Sequence, residues 1–149
     1  MKKKTFRVLN AVLACDCGYI STQEIAYKTN LTNRQVQSMI SILNLPIVHE
    51  EFDEKMKVIL YRMDGTKEQK EEILKQATRD YYNISDEVIA NVYSVLPEDE
   101  WTTISAIAAK TDMKLMDVSK TLYVMDGVAT KGTGSSILYR RGEPNRESA

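Results

Sequence analysis

Three side chains within one short stretch of the sequence have the chemistry that recognises nucleic-acid bases. The amides of Asn33 and Gln37 can pair with adenine, and the guanidinium fork of Arg34 can pair with guanine. Positions three or four residues apart lie on one face of an α-helix, so Gln37 would share a face with both of the others. The first hypothesis is therefore recognition of duplex DNA.

Side chains that can bond or neutralise phosphate groups surround this stretch and recur near the end of the chain. Hydroxyls and one lysine accompany the first group, and three cations surround a glycine-rich turn in the second half of the chain. Gly132 and Gly134 would let that turn approach a phosphate closely. The predicted DNA-binding residues are Lys28, Thr32, Asn33, Arg34, Gln37, Ser38, Ser41, Lys131, Arg140 and Arg141.

Start and stop signals in the first half of the chain predict three helices. Gly18 is expected to stop the first helix. Ser21 with Glu24, and Thr32 with Gln35, have the spacing of a capping box, so a second helix is expected after Ser21 and a third after Thr32. This arrangement would place the base-pairing side chains on the first turns of the third helix.

The third helix and a hairpin after it follow from apolar spacing. The helix is expected to turn four apolar residues inward, namely Val36, Met39, Ile40 and Leu43. Residues 47–52 and 56–63 then alternate as two strands around a polar turn at 53–55. The predicted order is three helices followed by a β-hairpin.

The tetrapeptide ILYR occurs at residues 59–62 and again at 137–140, and the sequence upstream of it is repeated as well. Ile25-Ala26 matches Ile107-Ala108 at an offset of 82 residues, whereas the tetrapeptides are offset by 78, so one unit is written twice with a deletion in the second copy. ILYR is predicted to be the return strand of each hairpin, with its Ile and Tyr on one face. The predicted domains are residues 1–63 and 85–142, joined by a helical linker over 64–84 and followed by a disordered tail over 143–149.

The linker contains good helix formers and no glycine or proline across TKEQKEEILKQATRD. Its apolar stripe consists of Ile73, Leu74, Ala77 and Tyr81. One interpretation is a connecting helix that packs on its own domains. The other is a dimerisation helix, in which Ile73, Leu74 and Tyr81 contact a partner.

The stretch IAYKTNLTNRQVQSMISIL resembles the helix-turn-helix core of the winged helix-turn-helix superfamily, and the resemblance extends over residues 5–63 and 85–141. It implies a mainly α fold with small β-hairpin wings (α+β), here as two tandem winged-helix domains joined by a helix. It also implies duplex DNA as a partner, with the third helix of the first domain as recognition helix in a transcriptional regulator. Some members of the superfamily instead use the fold to join proteins.

Two features of the sequence favour that second function. The first hairpin carries Glu50, Glu51 and further acidic residues, which would repel a phosphate backbone. In the second copy, Leu115 and Met116 stand where the first copy has Asn33 and Arg34, and neither can hydrogen-bond a base. They are expected either to contact a partner or to be buried by a different helix start. The alternative function is an assembly module of a chromosome, replication or transcription complex.

Composition bounds the remaining possibilities. The net charge of −1 is not that of a strongly basic domain, although a DNA-binding protein needs only one basic face. One histidine, with no nucleophile motif and no phosphate-binding loop, predicts no enzyme, cofactor or metal. No run of apolar residues is long enough to span a membrane, and the opening MKKKTFRVLNAVLACDCG is expected to form a helix rather than a signal peptide. Cys15 and Cys17 are expected to be reduced thiols of a cytoplasmic protein.

Overall fold

A computed structural model describes residues 1–15 and 18–143 of the chain. The fold is mainly helical with small antiparallel sheets, as the sequence predicts, and the chain divides into two compact units. Unit 1 comprises Met1–Tyr81 and unit 2 begins at Tyr82. Cys17 and the predicted tail beyond Glu143 lie outside the described residues.

Each unit places three helices before an antiparallel hairpin, and a further helix follows the hairpin of unit 1. The first series of elements is α1 Lys3–Leu13, β1 Tyr19–Ser21, α2 Thr22–Thr29, α3 Asn33–Leu43, β2 Val48–Asp53, β3 Val58–Met63 and α4 Lys67–Tyr82. The second series is α5 Asp86–Val95, α6 Ile104–Thr111, α7 Leu115–Val124, β4 Val128–Lys131 and β5 Leu138–Arg141.

Local capping explains where α2 and α3 begin. Thr32 and Gln35 form the predicted reciprocal capping box, with the Thr32 hydroxyl accepting the Gln35 backbone N–H at 3.1 Å. Ser21 also caps its helix through the Glu24 backbone N–H. The capping box predicted there does not form in full, because the Glu24 carboxylate is 3.5 Å from the Ser21 hydroxyl and not bonded to the Ser21 backbone. Asn30 ends α2 in the left-handed conformation that asparagine tolerates.

The sheet of unit 1 contains a third strand that the sequence did not predict. β1 pairs with β3 in the order β1-β3-β2, and Ile20 lies opposite Tyr61. Unit 2 repeats this contact as a single bridge between Thr102 and Tyr139. The two positions are offset by 82 and 78 residues (102 − 20 and 139 − 61), the same offsets that relate the sequence copies.

Three predicted boundaries need correction. α1 ends at Leu13, before Gly18, and its last turn is closed by the Ala14 backbone N–H. The tip of the first hairpin lies after Asp53 and includes Lys57, whose φ of +53° lets the chain reverse. In unit 2 a short 3₁₀ turn at Gly134–Ser136 precedes the return strand, which begins at Leu138, one residue into ILYR.

Each unit has its own apolar core. In unit 1 the core contains Ile25 and Val36, and in unit 2 it contains their sequence equivalents Ile107 and Val118; all four are fully buried. The tyrosine of each ILYR faces its core, fully buried at Tyr61 and partly buried at Tyr139. Burial raises the pKa of both phenols.

The apolar stripe of α4 packs within unit 1. Ala77 is buried against Leu9 and Leu13, and Ile73 and Leu74 pack on the same cluster. The ring of Tyr81 stacks on that of Phe6 with centroids 4.5 Å apart. This packing agrees with a connecting helix docked on its own domain. Ile73, Leu74 and Tyr81 contact unit 1 through this packing, and the other interpretation, their contact with a partner, stays a prediction.

None of the helices within residues 1–15 and 18–143 combines the length and apolarity needed to cross a membrane. Over the same residues, no group of three or more His, Cys, Asp or Glu side chains is arranged to hold a metal ion.

Candidate interaction surfaces

The predicted base-reading face of α3 is exposed to solvent. Asn33, Arg34, Gln37 and Ser38 all lie on the open side of the helix, opposite the buried Val36. The capping box that starts the helix positions them on its first two turns. The structure therefore brings the three base-pairing side chains to one accessible face, as the spacing predicts.

Thr32, next to these residues, caps the start of α3. Its hydroxyl accepts the Gln35 backbone N–H and lies 3.3 Å from the Gln35 side-chain oxygen. Both bonds belong to the helix cap, so Thr32 is a capping residue, and its contact with a phosphate stays a prediction.

An acidic side chain lies beside the reading face. Gln37 and Ser41 line a shallow groove between α3 and β2, and Glu50 lines the opposite side of it. The Glu50 carboxylate is exposed. Burial is the main cause that raises the pKa of Tyr61, and the negative charge of Glu50 raises it further. A phosphate following this side of α3 would meet a negative charge, which opposes binding.

The hairpin of unit 1 is acidic along its outer side. Glu51 and Glu54 are exposed, and Asp53 forms the turn by accepting the backbone N–H groups of Lys55 and Met56 at 2.9 and 3.2 Å. Beyond the turn the sheet ends in a polar network, in which Arg62 bonds Asp64 and Tyr19. The bond to Asp64 and, less strongly, the bond to Tyr19 raise the pKa of Arg62. The two bonds also engage Arg62, which is the only cation of β3.

A groove in unit 1 that the sequence did not predict lies between α2 and the hairpin. It has a volume of about 420 Å³ and an apolar lining formed by Tyr27, Met56, Val58 and Leu60. Tyr27 is 90% exposed and Met56 is 72% exposed, although both are large apolar side chains. Lys28, predicted to contact DNA, lines this groove instead of the α3 face. The available sequence signal was an aromatic residue at an outward position of α2.

The start of α7 in unit 2 exposes two apolar side chains. Leu115 is 53% exposed and Met116 is 66% exposed. α7 begins at Leu115, and its cap residue Lys114 makes no side-chain capping bond. The helix start therefore leaves the two side chains exposed, so the expected burial does not occur and contact with a partner stays a prediction.

The hairpin of unit 2 carries its cations on an aromatic ring. The Arg140 guanidinium lies 4.4 Å from the centre of the Trp101 ring, and the Lys131 ammonium lies 5.7 Å from it. Stacking of this kind holds a cation in place without occupying its N–H donors. Lys131 and Arg140 therefore remain able to contact a phosphate, as predicted.

Arg141, in contrast, is engaged within its own unit. Its guanidinium bonds Glu98 at 3.1 Å and the backbone carbonyls of Tyr93 and Ser94 at 3.2 and 3.3 Å. These carbonyls belong to the last turn of α5, where a positive charge is favoured by the helix dipole. Arg141 thus joins β5 to α5 with its donors engaged, and its contact with DNA stays a prediction.

Replacing Arg141 with alanine is expected to destabilise unit 2 by about 1–2 kcal/mol, since three hydrogen bonds of a partly exposed charged group are lost. Arg140→Ala, which removes the adjacent cation, is the control and is expected to cost less than about 1 kcal/mol. Urea denaturation followed by circular dichroism measures both changes. Equal losses for the two variants would show that the contacts to α5 contribute nothing specific.

Comparison with known proteins gives a weak similarity to a solved structure. No family model matches the chain, and no curated protein matches it. The chain is similar to "Crystal Structure of ScpB from Mycobacterium tuberculosis", with 13% identity, 92% of this chain and 89% of that chain covered, and a TM-score of 0.32. At this TM-score the similarity transfers neither a fold nor a function to the chain.

Proposed function

We propose that the chain is a protein–protein assembly module built from two tandem winged-helix domains. The observation that carries this proposal is the exposed pair Leu115 and Met116 at the start of α7. In unit 1 the equivalent positions hold Asn33 and Arg34, which suit a base edge, whereas the pair in unit 2 suits an apolar partner surface.

The tandem winged-helix interpretation is supported by element order and by register. In both units three helices precede a hairpin, and the return strand also pairs with the segment in front of the second helix. The pairs Ile20–Tyr61 and Thr102–Tyr139 have the offsets of the sequence repeat. A single duplicated unit accounts for both facts.

Electrostatics favours a protein partner for unit 1. Affinity for duplex DNA comes largely from release of counterions by cations that contact phosphates. In the hairpin of unit 1, Glu50, Glu51 and Glu54 are exposed acidic groups near the position that a wing would occupy on a duplex. In unit 2 the charge of Arg141 is already neutralised by Glu98. In the hairpin of unit 1 the exposed Lys55 and Lys57 offset the acidic groups only in part, which disfavours a duplex there.

A second candidate function, a DNA-binding transcriptional regulator, is favoured by the exposed side chains Asn33, Arg34 and Gln37. Under this function Arg34→Ala is expected to cost about 1–3 kcal/mol against a specific site, and Lys131→Ala to weaken binding on every sequence. The assembly function predicts that neither variant alters partner binding.

We further propose that the chain is not an enzyme and that it acts in the cytoplasm. The first rests on the single histidine and the lack of a nucleophile motif, and the second on Cys15 and Cys17, which are expected to be reduced thiols. The partner is either another protein or a second copy of the chain.

The proposed function is tested by affinity purification of the tagged full chain from its native cells after nuclease treatment. Leu115→Asp and Met116→Asp are each expected to remove a protein that wild type retains, because a charge placed at an apolar contact must lose its water. Ala90→Asp, at an exposed position of α5, is the matched control and should retain the protein. The same proteins recovered with all four chains, each with a wild-type circular dichroism spectrum, would contradict the proposal.

A further inference from the structure

We propose that the groove between α2 and the hairpin of unit 1 binds a short segment of a partner protein in which large apolar residues are flanked by lysine or arginine. This inference rests on the proposed assembly function and adds the chemistry of the segment that is bound. It concerns a surface different from the Leu115–Met116 pair, so the two can fail separately.

The groove has the shape and lining of a binding site for a few side chains. Val58 and Leu60 form part of its lining from the outer face of β3, while Tyr27 from α2 and Met56 from the hairpin tip stand beside them. Asp53 holds the tip in place through its bonds to the backbone of the turn, one of them to Met56 itself. The exposed Met56 side chain is therefore attached to an ordered turn, which reduces the entropy lost on binding.

The second copy of the unit indicates that the fold does not require these apolar side chains. At the offset of 82 residues Tyr27 corresponds to Ala109, and at the offset of 78 Met56 and Val58 correspond to Gly134 and Ser136. Core positions keep their apolar character between the copies, as Ile25 and Ile107 illustrate, and so does the half-buried groove residue Leu60, which corresponds to Leu138. The two exposed groove residues, Tyr27 and Met56, have no large apolar counterpart in unit 2 and are best explained by a ligand of unit 1.

The charges around the groove select a basic segment. Glu24 and Asp53 line it, and Glu51 lies opposite Leu60 in the strand register and so shares its face of the sheet. Lys28 is the only cation that lines it. A segment with lysine or arginine beside its apolar residues would meet three carboxylates and one ammonium, which gives electrostatic complementarity.

The same charges disfavour a second copy of the chain and a nucleic acid as occupants of the groove. In a symmetric contact between two copies the same surface meets itself, which would bring Glu51 and Asp53 near their counterparts. A nucleic-acid backbone would be repelled by the same groups. A basic segment of a different protein is the occupant that both the apolar lining and the acidic rim accept.

The test uses a phage library of random dodecapeptides selected on the immobilised full chain, followed by fluorescence titration of the most enriched peptide in labelled synthetic form. We expect enriched peptides to combine aromatic or large aliphatic residues with lysine or arginine. Tyr27→Ala and Met56→Ala should each weaken binding at least about tenfold, because anchor side chains dominate such interfaces. Lys57→Ala, at an exposed position of the same hairpin, is the control and should bind no more weakly than wild type.

Several outcomes would overturn the proposal. Failure to enrich any peptide would overturn it, and so would enrichment of acidic peptides. Equal binding by wild type, Tyr27→Ala and Met56→Ala, each with an unchanged circular dichroism spectrum, would also overturn it. Displacement of the peptide by duplex DNA, or by a second copy of the chain, would assign the groove to that occupant instead. Leu115→Asp separates the two proposals. This variant should bind the peptide as wild type does. In the purification described above it should lose the partner protein, even if the groove binds no peptide.

Discussion

Replacing Tyr61 with alanine is expected to unfold unit 1 while unit 2 stays folded. The Tyr61 side chain is only 1% exposed and packs in the core against Ile25 and Val36. Truncating a buried aromatic residue costs about 3–5 kcal/mol, which is a large part of the stability of a small domain. Of all substitutions considered, this one has the largest expected effect on stability.

The chain offers a direct way to measure this result. Its only tryptophan, Trp101, lies in unit 2, so tryptophan fluorescence reports on unit 2 while circular dichroism reports on both units. In urea, Tyr61→Ala should shift part of the circular dichroism transition to lower concentration and leave the fluorescence transition where it is. Tyr27→Ala, at an exposed tyrosine of the same unit, is the control and should alter neither by more than about 0.5 kcal/mol. If fluorescence and circular dichroism shifted together in Tyr61→Ala, the two units would not be separate folding units.

The second large effect is expected for Ala77→Glu in α4. Ala77 is buried against Leu9 and Leu13, so the substitution would place an unpaired carboxylate in an apolar cluster. We expect α4 to lose its packing on unit 1, and its amide hydrogens to exchange at least about a hundredfold faster, because local opening then costs much less free energy. Gln76→Glu adds the same charge at the adjacent, exposed position and should leave exchange nearly unchanged.

This experiment also decides between the two interpretations of the linker. Hydrogen exchange by mass spectrometry resolves α4, and light scattering gives the mass of each variant. If Ala77→Glu left exchange in α4 unchanged but halved the mass, the apolar stripe would belong to a dimer and not to the packing within unit 1.

Features set by neighbouring residues were predictable from the sequence. The capping box of Thr32 and Gln35 depends on residues three apart, and the inward stripe of α3 depends on one helical period. The return strand was recognisable because ILYR is repeated, and its Tyr61 faces the core as alternation requires. The exposure of the face that carries Asn33 and Arg34 follows from the same period.

Features set by contacts between distant residues were not predictable. β1 has three residues, too few for an alternating pattern, and it forms only because β3 pairs with it. Arg141 has the composition of a phosphate ligand, but its partners Glu98 and Tyr93 lie 43 and 48 residues earlier. The groove beside Tyr27 depends on a hairpin that is distant in sequence. In each case the local sequence identifies the residue type, and contacts made in the tertiary fold determine which groups that residue binds.

The central claim is that this chain joins proteins and does not recognise duplex DNA. The most direct test is fluorescence anisotropy of a labelled random-sequence duplex titrated with the full chain at low and physiological salt, with Arg34→Ala and Lys131→Ala in parallel. Phosphate contacts would appear on any sequence, and we predict a Kd weaker than about 100 µM at physiological salt that neither substitution changes. A Kd below about 1 µM that weakens steeply with salt, and that either substitution raises, would contradict the claim.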